Sequence, residues 1–249
     1  MITALCRGKL TRELEGMEDL LTSAVFGRLK YLEPDRGLVP FLSYAKYRNG
    51  EAALPPASEI TRAEYKFWPW WQYADCRGAE PDVVLELETV TGGRYTVLIE
   101  AKYRSGKSSE AELDTTVPSD QLGREWDNLA HACADSGSSP VMIYLTADFA
   151  SPLNDLLASE AEYQTKRSTA RLPFRCAWLS WRHLGPALQG CSSPVADDLR
   201  ALLERLDMSF FHGIRALCCS PHQWRYRQLA TPFVFDIPKL EKWTWTFRR

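Results

Sequence analysis

The stretch Thr96–Arg104, TVLIEAKYR, begins as a run of strand-forming residues and then places a carboxylate and an ammonium group two positions apart. Because side chains alternate across a β-strand, Glu100 and Lys102 point to the same face. The opposite face carries only apolar side chains, from Val97, Ile99 and Ala101. The simplest interpretation is an ion pair on a solvated face, which contributes little to stability. The preceding strand offers a second interpretation.

That preceding strand is predicted over Asp82–Glu88, DVVLELE, and the turn Thr91-Gly92-Gly93 joins it to Arg94–Lys102. A hairpin of these two segments is expected to bring Asp82 beside Glu100. Two close carboxylates raise each other's pKa unless a cation lies between them. Oxygen ligands of this kind suit Mg²⁺ or Mn²⁺, which can polarise a phosphate oxygen and activate a water molecule.

The rest of the chain predicts a layered α/β domain. Apolar residues at helical spacing predict a first helix over 10–32, and a second helix begins near Ser119. The aromatic run 65–73 contains Pro69 and therefore favours an edge strand or a bulge. The expected order is helix, three strands, helix, strand, strand, with the last strands at 141–146 and 174–181 and a further helix near 195–206.

Pro81-Asp82, followed after an apolar run by Glu100-Ala101-Lys102, resembles the PD-(D/E)xK nuclease superfamily, which includes many restriction endonucleases and Holliday-junction resolvases. The resemblance covers roughly residues 10–146. It implies a restriction-endonuclease-like α-β-β-β-α-β core with a mixed central sheet flanked by helices. It also implies that Asp82 and Glu100 hold the metal ion and that Lys102 is the catalytic lysine.

Two accessory positions extend the resemblance. Many members carry an acid on the first helix, and Glu18 occupies such a position inside the apolar stripe. Some carry a glutamine at the start of the helix after the motif, where Gln121 stands. Glu18 is therefore expected to complete the metal shell, and Gln121 to orient Lys102 or water. One alternative stays open, because Glu86 shares the strand face of Asp82 and could replace it as a ligand.

The implied function is metal-dependent endonucleolytic cleavage of DNA within a defence, restriction or repair system. The alternatives are a non-catalytic DNA-binding or scaffold subunit and a nuclease that cuts RNA. A formal charge of −2 gives no general attraction to a polyanion, so contact with DNA must come from local basic clusters. The residues expected to bind nucleic acid are Arg104, Lys107, Lys166 and Arg167. A protein partner or a homo-oligomer is also expected.

The seven cysteines lack the regular spacing of a disulfide framework, and no run reaches about 18 apolar residues. No signal-peptide pattern is evident in residues 1–25, so we expect a cytoplasmic protein without a membrane segment. His212, Cys218, Cys219 and His222 lack the paired arms of a structural zinc site. The domain prediction is a nuclease domain over 1–185 and a C-terminal extension over 186–249 that packs on it.

Overall fold

The two strands predicted as a hairpin form the middle of the sheet. In the computed structural model, which describes residues 18–103, 107, 116–167 and 172–209, β2 (Val83–Thr89) pairs antiparallel with β3 (Arg94–Ala101). The register aligns Val83 with Ile99 and Leu85 with Val97. The predicted hairpin is therefore confirmed, and its register places Asp82 at the level of Glu100.

The complete sheet has five strands in the order β1-β2-β3-β4-β5 and is mixed. The first strand, β1 (Ile60–Phe67), pairs antiparallel with β2, whereas β4 (Ser139–Thr146) and β5 (Ala177–Ser180) continue from β3 in parallel. The residues of β4 from Val141 to Thr146 are all buried, as expected for a strand covered on both faces. An α/β fold with a helix-flanked mixed sheet is thus shown.

Two apolar layers cover the two faces of the sheet. Side chains alternate along β3, so Val97, Ile99 and Ala101 contribute to one layer and Leu98 contributes to the other. The first layer includes residues of α1 (Glu18–Leu29), α2 (Leu38–Leu42), α5 (Leu184–Ala187) and α6 (Pro194–Arg205). The second includes residues of α3 (Gln121–Ser136) and α4 (Leu153–Lys166). Short 3-10 helices lie at Pro34–Arg36, Ala57–Glu59 and Trp181–His183.

The structure departs most from the sequence predictions at the edge strand and at helix α4. The edge strand begins earlier, at Ile60, and ends at Phe67. The rest of the aromatic run 65–73 leaves the sheet, because Trp68 adopts a φ of +46° and Pro69 follows it. Helix α4 was not predicted, although parallel strands β4 and β5 need such a crossover connection. Its apolar residues are sparse, and only Leu156 and Tyr163 among them are buried.

The chain divides into two units at Phe210, and residues 211–249 lie outside the described residues. Within the first unit, α6 inserts Leu199, Leu202 and Leu203 into the main apolar layer. The described part of the predicted C-terminal extension is therefore part of the core. The helices of the described ranges are too short or too polar to cross a bilayer.

Candidate metal centre

Three carboxylates from separate elements converge at one end of the central hairpin. Asp82 immediately precedes β2, Glu100 is the penultimate residue of β3, and Glu18 lies in α1. One carboxylate oxygen from each residue lies within 4.8 Å of the other two. Asp82 and Glu100 are buried, with 7% and 2% of their surfaces exposed. The interpretation of Glu100 as part of a solvated surface pair is therefore wrong.

Backbone amides fix two of these carboxylates. The amide of Ala101 donates to Asp82 Oδ2 at 2.8 Å, and the amide of Tyr103 donates to Glu18 Oε2 at 2.9 Å. Because β3 and its continuation supply both donors, the strand that carries Glu100 also orients the other two acids. The chain beyond β3 is held by the bond from the Lys102 amide to the Leu145 carbonyl, 2.7 Å long.

The ammonium group of Lys102 lies between two of the acids. Its Nζ donates to Glu100 Oε1 at 2.6 Å and to Glu18 Oε1 at 2.9 Å, and the residue is only 6% exposed. Burial by itself would lower the pKa of Lys102, but the Glu100 and Glu18 carboxylates outweigh burial and raise it. Lys102 is therefore firmly protonated in this arrangement.

Helix α3 presents two more polar side chains to the cluster. Its N-cap is Asp120, whose side chain accepts from the amides of Leu122 and Gly123. The first helical residue, Gln121, donates through Nε2 to Glu100 Oε1. The sequence prediction assigned Gln121 to Lys102 or to water, and the structure brings its amide group to Glu100.

Glu125 is a member of the cluster that the sequence predictions missed. It lies one helical turn after Gln121, is 1% exposed, and forms a carboxyl–carboxylate contact with Glu100. A signal was present, because Glu125 falls between Leu122 and Leu129 inside the apolar stripe of α3. Glu18 was identified in the same way, as an acid inside the apolar stripe of the first helix.

Burial controls the protonation of the acids. Desolvation and then the neighbouring Glu100 raise the pKa of Asp82 to about 7, although the Ala101 amide and Lys102 act in the opposite direction. Desolvation also raises the pKa of Glu100 against the influence of Lys102. Desolvation and Glu100 together raise the pKa of Glu125 well above its usual range. Glu125 is therefore the acid best placed to be neutral.

The residues fit a divalent cation by charge and by geometry. Three ionised carboxylates and the one ammonium group leave a net charge of −2 when Glu125 is neutral. Opposite ligands of an octahedral Mg²⁺ lie about 4.2 Å apart, so three oxygens within 4.8 Å of one another match the size of one ion's ligand shell. Within the described residues, Glu100 Oε2 is buried and has no hydrogen-bond partner. That oxygen would be satisfied by a cation.

The alternative ligand Glu86 lies elsewhere on the sheet. Its Oε1 accepts from Lys66 Nζ at 3.3 Å, and its Oε2 accepts from the Thr96 hydroxyl at 2.9 Å. Asp82, rather than Glu86, joins the acidic cluster.

The four residues predicted to bind nucleic acid differ in their surroundings. The side chain of Lys107 is only 7% exposed and forms an ion pair with Asp120, so its ammonium group faces the protein interior. Arg167 forms an ion pair with Asp127, with about a fifth of the Arg167 side chain exposed. Lys166 is the last residue of α4, and Arg104 lies outside the described residues. Their contact with nucleic acid stays a prediction.

Comparison with known proteins gives no relative, because no family model, curated protein or solved structure matches the chain. The acidic cluster must therefore be interpreted from its own geometry.

Proposed function

We propose that this protein is a metal-dependent nuclease of the PD-(D/E)xK type that hydrolyses phosphodiester bonds in DNA. The observation that carries the proposal is the convergence of Glu18, Asp82 and Glu100 around one point beside the buried ammonium group of Lys102. The succession of helix, three strands, helix and strand agrees with the family's core. The choice of DNA as the substrate rests on the resemblance.

Asp82, Glu100 and Glu18 would hold Mg²⁺ or Mn²⁺. When bound, the ion supplies Lewis-acid activation of a phosphate oxygen and of a water molecule. Gln121 and Lys102 both donate to Glu100 Oε1, so they fix the orientation of that carboxylate before any ligand arrives. Such preorganisation is what electrostatic stabilisation of a transition state requires.

Lys102 acts as a cation rather than as a base. Its raised pKa means that it holds its proton at neutral pH, so it cannot accept one from the attacking water. Its ammonium group instead offsets the negative charge that develops on the phosphate as water adds and the bond to the leaving oxygen breaks.

The test is nicking of supercoiled plasmid by purified protein in Mg²⁺ or Mn²⁺, with EDTA as the metal-free control. We expect Lys102→Ala, Asp82→Asn and Glu100→Gln to reduce the rate at least about 100-fold, since each removes a charge from the site. The matched control is Lys66→Ala, because Lys66 forms an exposed pair with Glu86 on the same sheet. That variant should nick at the wild-type rate.

The outcomes separate the proposal from its rivals. Cleavage that persists in EDTA, or in folded Lys102→Ala at the wild-type rate, would contradict the proposal. Metal-independent DNA binding without cleavage by the wild-type protein would favour a non-catalytic subunit. Preferential cleavage of an RNA of the same sequence would redirect the proposal to RNA. Circular dichroism of each variant confirms that the loss of activity is not a loss of fold.

A further inference from the structure

A second group of metal-binding side chains lies on a different face of α3. Cys76, Asp127 and His131 each offer one ligand atom, and the three atoms lie within 4.8 Å of one another. Asp127 and His131 are four residues apart and therefore share one face of the helix. Asp127 is offset by two residues from Glu125, which turns it away from the acidic cluster.

The loop that carries Cys76 is already attached to α3. Asn128, the neighbour of Asp127, donates through Nδ2 to the Arg77 carbonyl at 2.8 Å and accepts from the Tyr73 amide at 3.4 Å. The Tyr73 ring stacks on His131 with the centroids 5.8 Å apart. These contacts fix the loop on both sides of Cys76 in register with the helix. The three ligands are therefore prearranged without a metal.

We propose that Cys76, Asp127 and His131 form a zinc site that is separate from the acidic cluster. A thiolate, an imidazole and a carboxylate are the donors that Zn²⁺ prefers, whereas Mg²⁺ and Mn²⁺ prefer oxygen alone. Three protein ligands leave the fourth tetrahedral position for water. The site borders a cavity lined by residues that include Asp75, Ala130, Tyr163 and Leu172, so water can reach it.

The ion pair between Asp127 and Arg167 is compatible with this site. The Arg167 Nε lies 3.2 and 3.1 Å from the two oxygens of Asp127, and Arg167 also donates to the Asp75 carbonyl. Carboxylates that bind metals are commonly oriented by such outer hydrogen bonds. Zn²⁺ binding requires loss of the Cys76 thiol proton, which is costly. Burial and, to a lesser extent, the neighbouring Asp127 raise the pKa of this thiol to about 12. Zn²⁺ must displace that proton.

The consequence of the site is structural. The loop runs from the end of β1 to Asp82, and the residues Trp71 and Ala79 pair with each other across it. Zn²⁺ at Cys76 would tie this loop to the helix that also carries Gln121 and Glu125. It would thereby hold together two of the segments that build the acidic cluster.

The test uses the full-length protein, stripped of metal, and titrates it with Zn²⁺ against a chromophoric chelator. We expect Cys76→Ser and His131→Asn each to weaken binding at least about tenfold, since each removes a ligand. Titration with Co²⁺ should produce a thiolate charge-transfer band that Cys76→Ser abolishes. Zn²⁺ should also raise the melting temperature of the wild-type protein but not of Cys76→Ser.

Two controls exclude other sources of binding. Cys218→Ser/Cys219→Ser tests the cysteine and histidine residues near the C terminus and should keep the wild-type Zn²⁺ affinity. Asp82→Asn tests the acidic cluster and should keep the Co²⁺ thiolate band. Wild-type affinity in both Cys76→Ser and His131→Asn would overturn the proposal, as would a Co²⁺ complex with no thiolate band. Loss of binding in the Cys218→Ser/Cys219→Ser variant alone would also overturn it. None of these results depends on nuclease activity.

Discussion

Glu100 is the residue through which the acidic cluster is organised. Its Oε1 accepts from Lys102 and Gln121, and its carboxylate also contacts the carboxyl group of Glu125. A buried carboxylate with this many neighbours is oriented before it binds anything, which lowers the cost of binding. The pattern E-x-K identified Glu100 and Lys102, but their neighbours depend on how α1 and α3 pack. The burial of Glu100 and Lys102 could therefore not be predicted from the tripeptide.

Replacing Glu125 tests its protonation state. Gln in its place can donate a hydrogen bond to Glu100 as a protonated acid would, so Glu125→Gln should keep wild-type stability and Mn²⁺ affinity. Glu125→Ala leaves a cavity and a buried oxygen without a donor, and should lower the free energy of unfolding by about 2–4 kcal/mol. Urea denaturation and Mn²⁺ titration measure both effects. If Glu125→Gln keeps wild-type stability but loses much of its Mn²⁺ affinity, Glu125 binds the ion as an ionised ligand.

At the scale of elements, the strands were the easiest to predict. The two strands of the hairpin and β4 are dense in branched apolar residues, and their pairing follows from a short turn and from alternation. The apolar residues of helix α4 show only weak helical periodicity. The helix could be inferred only from the parallel pairing of β4 with β5, because parallel strands require a crossover connection. The aromatic run after Phe67 has high strand propensity, but Pro69 and the positive φ of Trp68 turn the chain out of the sheet.

Helix α6 provides a direct test of packing. Leu202 is fully buried in the main apolar layer. Leu202→Ala should lower the free energy of unfolding by about 2–5 kcal/mol, through lost burial and a residual cavity. The control is Leu157→Ala on α4, where 44% of the residue is exposed and the expected change is below about 1 kcal/mol. Equal effects of the two substitutions in urea denaturation would contradict the placement of α6 in the core.

At the scale of the whole molecule, the raised pKa of Asp82 in the acidic cluster makes stability depend on pH. The pKa of Asp82 is raised from its ordinary value of 3.8 to about 7, so between these values the folded state binds more protons than the unfolded state. Stability then falls as pH rises from about 4 to about 7, because the unfolded state loses its proton first. A metal ion bound as proposed would remove this dependence by compensating the ionised carboxylate.

This linkage predicts a specific result for the metal-free protein. Between pH 5 and pH 8, the wild type in EDTA should lose of the order of 2 kcal/mol more stability than Asp82→Asn, which cannot ionise at this position. Saturating Mn²⁺ should restore the wild type at pH 8 and leave Asp82→Asn little changed. Urea denaturation at each pH measures both comparisons. Identical pH profiles for the two proteins in EDTA would show that Asp82 has an ordinary pKa.

The most direct measurement is anomalous diffraction from a crystal soaked in Mn²⁺. We expect one strong anomalous peak in contact with oxygens of Glu18, Asp82 and Glu100, with Lys102 Nζ nearby and not in its place. A crystal of Asp82→Asn soaked in the same way should show a weaker peak or none. The central claim is contradicted if the wild-type crystal shows no peak at these oxygens at a saturating Mn²⁺ concentration, while Lys102 still bridges Glu18 and Glu100.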